Sequence, residues 1–168
     1  MNVFRLSLPQ TAAAAMLLSA SLCSLPAQAA KPVWVPIAEL LVSSWSEADP
    51  VRMTDVMTRC TALNMILAGM AATESQDDAE RYQNEAKRLI QNAVLIDSRL
   101  VKELTGAEAD IPSVSDATIA EVKGHVSGYN DWLDDNMANG NSWFNRDFEL
   151  EMESCSLASR FIAQMSGF

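Results

Sequence analysis

The stretch MTRCTALNMILAGMAA, residues 57–72, decides the fold. From Cys60 to Thr73 it carries no charge, in a chain whose 22 acidic and 12 basic residues leave a formal net charge of −10. Met53, Val56 and Met57 before the cysteine, and Leu63, Leu67 and Met70 after it, recur at three- and four-residue steps, the period of an α-helix. Asp49 stands as an N-cap, and Pro50 follows at the first helical position, where its missing N–H costs nothing. A helix is therefore expected from Pro50 to about Ala72. Its second half is apolar nearly all round, which predicts a central place in a helical core.

What Cys60 does there depends on the compartment, and the start of the chain speaks to that. Arg5 is the only charge before Lys31, an apolar run covers about Ala12 to Leu22, and Pro26 precedes the small-residue segment AQA ending at Ala29. This is the pattern of a secretory signal peptide, residues 1–29, with cleavage expected after Ala29. The apolar run is shorter than the roughly 20 residues of a membrane-spanning helix, so no stable anchor is expected after cleavage. Leu22 before Cys23 is not the small residue that lipidation needs. A periplasmic or secreted location follows. Cys23 leaves with the signal, and the two remaining cysteines, Cys60 and Cys155, are expected to form one disulfide in an oxidising compartment. Closing so long a loop contributes up to roughly 4.7 kcal/mol in the chain-entropy model.

The mature product, residues 30–168, is one domain's worth of chain. Without Arg5 its 11 basic residues face 22 acidic ones. Such a surface repels phosphate backbones and anionic lipids, which argues against nucleic-acid binding and suits solubility or a basic protein partner.

The rest of the chain is helical in period. Pro36 opens a short helix carrying Ile37, Leu40, Leu41 and Trp45, which ends near Ala48. SQDD at residues 75–78 reads as a capping box before a helix of about 29 residues, whose stripe runs from Ala79 through Leu89 and Ala93 to Leu104 and stops at Gly106. SVSD at residues 113–116 repeats the signal before a fourth helix with Ile119, Val122, Val126, Tyr129, Trp132, Leu133 and Met137, closed by Gly140. A last helix from about Ser142 or Asn145 carries Phe148, Met152, Cys155, Ala158, Phe161, Ile162 and Met165. No alternating strand pattern competes. The expected fold is all-α: a single-domain bundle of four main helices plus a short N-terminal one, with short loops and one of about eight residues.

Catalytic motifs are scarce. His125 is the only histidine, and a disulfide-bonded cysteine is neither nucleophile nor thiolate ligand. Glu121 stands one turn before His125, an i, i+4 pair able to hold a metal, but HExxH, a Glu-x-x-His pair and a second histidine are missing. An ordinary half-buried histidine is the expectation, with no metal and no cofactor. DDNMANGN, residues 134–141, places Met137 and Arg146 where a calcium loop needs oxygen ligands, and reads instead as a helix end. There is no CxxCH for covalent haem. Glu149, Glu151 and Glu153 alternate, so on a helix they diverge instead of forming an acid/base pair. Gly124 and Gly128 have the spacing that lets another helix approach closely. The Ser-Gly-Phe end resembles that of outer-membrane barrels, but the helical period before it does not.

Together these features predict an exported, non-enzymatic helical protein that binds a protein partner, as an inhibitor or immunity protein does. One alternative is an acid or stress chaperone, in which protonating the carboxylates would loosen the packing. Another is a bundle that carries a cofactor or metal.

Overall fold

Five helices and one disulfide build the molecule in a computed structural model that describes residues 35–47, 49–140 and 142–165. The signal segment, its cleavage site and the Ser-Gly-Phe end lie outside the described residues, as do the side chains of Trp45 and Met165. Among the described residues there is no strand. The all-α expectation holds.

Helix α1 covers Ile37–Glu47, α2 Pro50–Ala71, α3 Gln76–Thr105, α4 Ile111–Ala138 and α5 Arg146–Met165. Asp49 caps α2 as its sequence position implies, its carboxylate accepting from the backbone N–H groups of Val51 and Arg52. Ser75 does the same for α3 through Asp78 N–H, and Gly106 ends that helix in the left-handed conformation at φ 72°. Asn145 opens α5, its side-chain oxygen accepting from Phe148 N–H at 2.9 Å. At the end of α4, Asn139 is the C-cap and Gly140 turns the chain at φ 75°, so residues 134–141 form a helix end and not an ion loop.

One boundary differs from expectation. The fourth helix begins at Ile111, not after the Ser113–Asp116 signal, because Pro112 fits the first turn with its preset φ. The loop before it is therefore residues 106–110, shorter than the eight expected.

Helix α2 is central, packing against each of the other four helices. Its burial is distributed differently from the sequence expectation, however. The most enclosed part is the first half, where Met53, Val56, Met57, Arg59, Cys60 and Leu63 are buried. The uncharged second half has a wet side, with Met65 49 % exposed and Gly69 exposed. The stripe of α3 is buried at Ala79, Ala86, Leu89 and Ala93 but runs out at Leu104, 78 % exposed near the helix's C-terminal end. Helix α4 likewise buries Val122, Tyr129, Trp132 and Leu133 and leaves Met137 exposed. A Cβ at Gly124 would meet nothing within 4 Å, so no helix approaches it as the glycine spacing suggested.

Cys60 and Cys155 are disulfide-bonded, their Cα atoms 5.4 Å apart, and both are buried. The bond fastens α5 to the centre of α2. An aromatic row of Tyr129, Trp132, Phe148 and Phe144, with successive centroids 6.2, 6.0 and 5.3 Å apart, fills the space between α4 and α5.

Candidate functional site

Two polar clusters flank one another on α2, a turn apart. The inner one centres on Arg59, which is 2 % exposed and lies beside Cys60. Its Nη2 donates to Glu151 Oε2 at 2.8 Å, and its Nη1 donates to the Val35 carbonyl. Tyr129, on α4, donates its hydroxyl to the same Glu151 oxygen at 2.7 Å. The other Glu151 oxygen accepts from Ile37 N–H, the first residue of α1, at 3.0 Å. The Glu151 carboxylate thus serves as the N-cap of a helix 114 positions away, where the helix dipole favours negative charge. Burial, and then the Glu151 charge, push the Tyr129 phenol far above its ordinary value against the pull of Arg59. One cluster ties together α1, α2, α4 and α5.

The outer cluster contains His125. Packing of α2 alongside α4 brings Asp55 to the Glu121/His125 face, so the expected pair becomes three groups. His125 Nε2 lies 3.5 Å from Asp55 Oδ1 and 3.7 Å from Glu121 Oε1. The buried Thr58 hydroxyl reaches Glu121 Oε1 at 3.3 Å. Burial raises the Asp55 carboxyl above its ordinary range, opposed by Arg59 and His125 and reinforced by Glu121. Glu121 is held below its range, chiefly by its contact with the His125 imidazole.

Among the surface grooves, two bear on binding. The wet side of α2 forms the floor of one, of about 690 Å³, where Met65, Ile66 and Met70 face Val126, Leu133 and Trp143. Asp134 stands on its rim, and Asp131 and Asp135 are exposed on the same helix. The other runs past Arg81, Arg88 and Arg160 beside Tyr82. There Asp78 and Glu85 already pair with Arg81 and Arg88, which discharges much of its positive field.

Comparison with known proteins finds no match. No family model fits the chain, and no curated protein or solved structure is similar to it. The functional reading therefore rests on side-chain geometry alone.

Sequence reasoning identified Cys60 and Cys155 correctly and placed Glu121 and His125 on one face. It did not bring in Asp55, Arg59 or Glu151. A signal for them existed: beyond Arg52, Asp55 and Arg59 are the only charges on α2, on a helix otherwise suited to burial. The divergence of the three glutamates was the second hint, since Glu151 points inward while Glu149 and Glu153 stay exposed beside Arg146.

Proposed function

We propose that this protein is exported to the periplasm or beyond, loses its first 29 residues, and acts as a non-enzymatic docking surface for a protein partner. The apolar groove floored by the second half of α2 carries this reading. Met65 is 49 % exposed and Trp143 40 %, and Asp134 lines the same groove. An apolar groove with one aspartate in its lining suits an amphipathic segment with a basic flank, whose apolar side fills the groove while a cation meets Asp134. The disulfide and the Glu151 cluster support the reading because they hold the groove-bearing helices rigid, which lowers the ordering cost of binding. The long-range disulfide is what an oxidising compartment permits.

Two measurements test this. Mass spectrometry of the product from a periplasmic fraction should give a chain beginning at Ala30. A photocrosslinking residue at Met65, introduced in the exporting cell, should yield a discrete adduct with a cationic partner that Trp143→Asp abolishes, while the same residue at exposed Leu104 yields none. Retention of the full chain in the cytoplasm refutes the export half, and equal labelling at both positions refutes the docking half.

A further inference from the structure

The outer cluster has the geometry of an ion site. We infer that Asp55, Glu121 and His125 bind one divalent transition-metal ion of the zinc class, joining α2 to α4.

The three ligand atoms lie within 4.8 Å of one another. The two distances from His125 Nε2, 3.5 and 3.7 Å, exceed the roughly 2.7–3.2 Å of an N–H···O hydrogen bond. In keeping with this, Nε2 is buried and makes no hydrogen bond, although two carboxylates face it. Leaving such an atom unpaired is costly unless something else satisfies it. The same distances are close to the ligand–ligand edge around zinc. Bonds of about 2.0–2.1 Å in a tetrahedron imply an edge of about 3.4 Å, so an ion here requires shifts of up to about 0.3 Å along the histidine edges, while the Asp55–Glu121 edge, within 4.8 Å, closes by rotation of two partly exposed carboxylates.

Ligand chemistry narrows the ion. One imidazole nitrogen with two carboxylates suits zinc-like metals, whereas calcium and magnesium require six or more oxygens. Two carboxylates and a neutral imidazole also balance a double positive charge, which relieves the crowding of Asp55 against Glu121 in a partly buried place. Thr58, fully buried and donating to Glu121 Oε1, is the outer partner that such ligands ordinarily have. Three protein ligands leave a fourth position for water or for a donor from a partner. Arg59, one turn along α2, is ion-paired with Glu151, so its pull on Asp55 is shared with a second carboxylate.

The test uses the processed chain, stripped with a chelator and titrated with Zn²⁺ against a chromophoric competitor, with thermal unfolding followed in parallel. One equivalent is expected to bind and to raise Tm, and millimolar Mg²⁺ should not displace it. Asp55→Asn, which preserves volume, and His125→Ala should each weaken binding at least about tenfold and abolish the Tm increase, Thr58→Val should weaken it by a similar factor, and Glu149→Gln on the exposed face of α5 should change nothing. Far-UV circular dichroism identifies any variant that fails to fold, and Asp55→Asn and Thr58→Val give two independent readings. Zinc binding that is absent, or equal in affinity and stoichiometry in the wild type and both of those variants, overturns the inference.

Discussion

Replacing Glu151 with Gln puts the inner cluster to a quantitative test. The two carboxylate oxygens accept three hydrogen bonds, from Ile37 N–H at 3.0 Å, Arg59 Nη2 at 2.8 Å and the Tyr129 hydroxyl at 2.7 Å. A glutamine amide keeps one oxygen and turns the other into a donor. Facing Arg59, the new NH₂ opposes a guanidinium; facing Ile37, it opposes a backbone N–H. In either orientation a buried donor loses its acceptor, and Arg59, 2 % exposed, loses its ion-pair partner Glu151. Breaking a buried pair by removing one partner costs about 3–5 kcal/mol. The assay is urea unfolding followed by circular dichroism at 222 nm, at neutral pH with the disulfide intact. With a slope near 2 kcal/mol/M, the midpoint should fall by about 1.5–2.5 M with the slope unchanged. Replacing the whole cluster with apolar groups, Arg59→Met with Tyr129→Phe and Glu151→Leu, should cost less than the single change, because no charge is then stranded. A loss below about 1 kcal/mol for the glutamine variant, or a triple variant markedly worse than it, refutes the reasoning.

The remaining predictions concern the disulfide and the phenol. With 95 positions between Cys60 and Cys155, reduction, or the pair Cys60→Ala and Cys155→Ala, should lower unfolding free energy by up to about 4.7 kcal/mol; a loss under about 1 kcal/mol in the same urea assay counts against the bond as a major fastening. Tyr129 has a folded-state pKa raised above its unfolded value of about 10, so its contribution is complete below about pH 10 and drains away as pH rises beyond that. Stability should therefore decline on that alkaline limb, and Tyr129→Phe should flatten it. The Tyr129 phenolate should absorb only on unfolding, so the native wild type and the Tyr129→Phe variant should give the same alkaline absorbance titration; a native-state difference between them near pH 10 contradicts the burial argument.

The sequence carried the helices well because their signals are local. Asp49, Ser75 and Gly106 announced helix ends through side chains and φ values that act within a few residues. Long-range pairing is a different matter. The disulfide was legible because the expected removal of Cys23 leaves only Cys60 and Cys155 to pair. Arg59 and Glu151 have many possible partners among 12 basic and 22 acidic residues, and only the packing of α5 over α1 and α2 selects one. The wet side of α2 was missed for a related reason. Apolar residues on all sides of a helix predict burial on all sides, but α4 and Trp143 in the segment before α5 leave a groove there instead of closing over it.

Helix α5 has little area to hold it. Its main contacts are with α1 and α2, both smaller than the long α2–α3 packing, and a side chain from α3, Arg88, adds a bond to the Ser159 carbonyl at 3.0 Å. The disulfide and Glu151 stand within about one turn of each other on this helix, so a covalent and an ionic tie act at nearly the same point. Glu151 at the same time caps α1, which means that displacing α5 removes the N-terminal acceptor of α1 as well. The two helices should therefore behave as one unit of local unfolding. Hydrogen exchange on the reduced protein should show amides of Ile37–Glu47 and Arg146–Met165 losing protection together, while the buried stretches of α2 and α3 retain theirs. The Glu151→Gln variant with its disulfide intact separates the two ties: α1 should lose protection while the residues around Cys155 keep theirs. If reduction instead releases α5 and leaves α1 protected, the capping bond carries no coupling between them and α1 is held by its apolar face, Ile37, Leu40 and Leu41, alone.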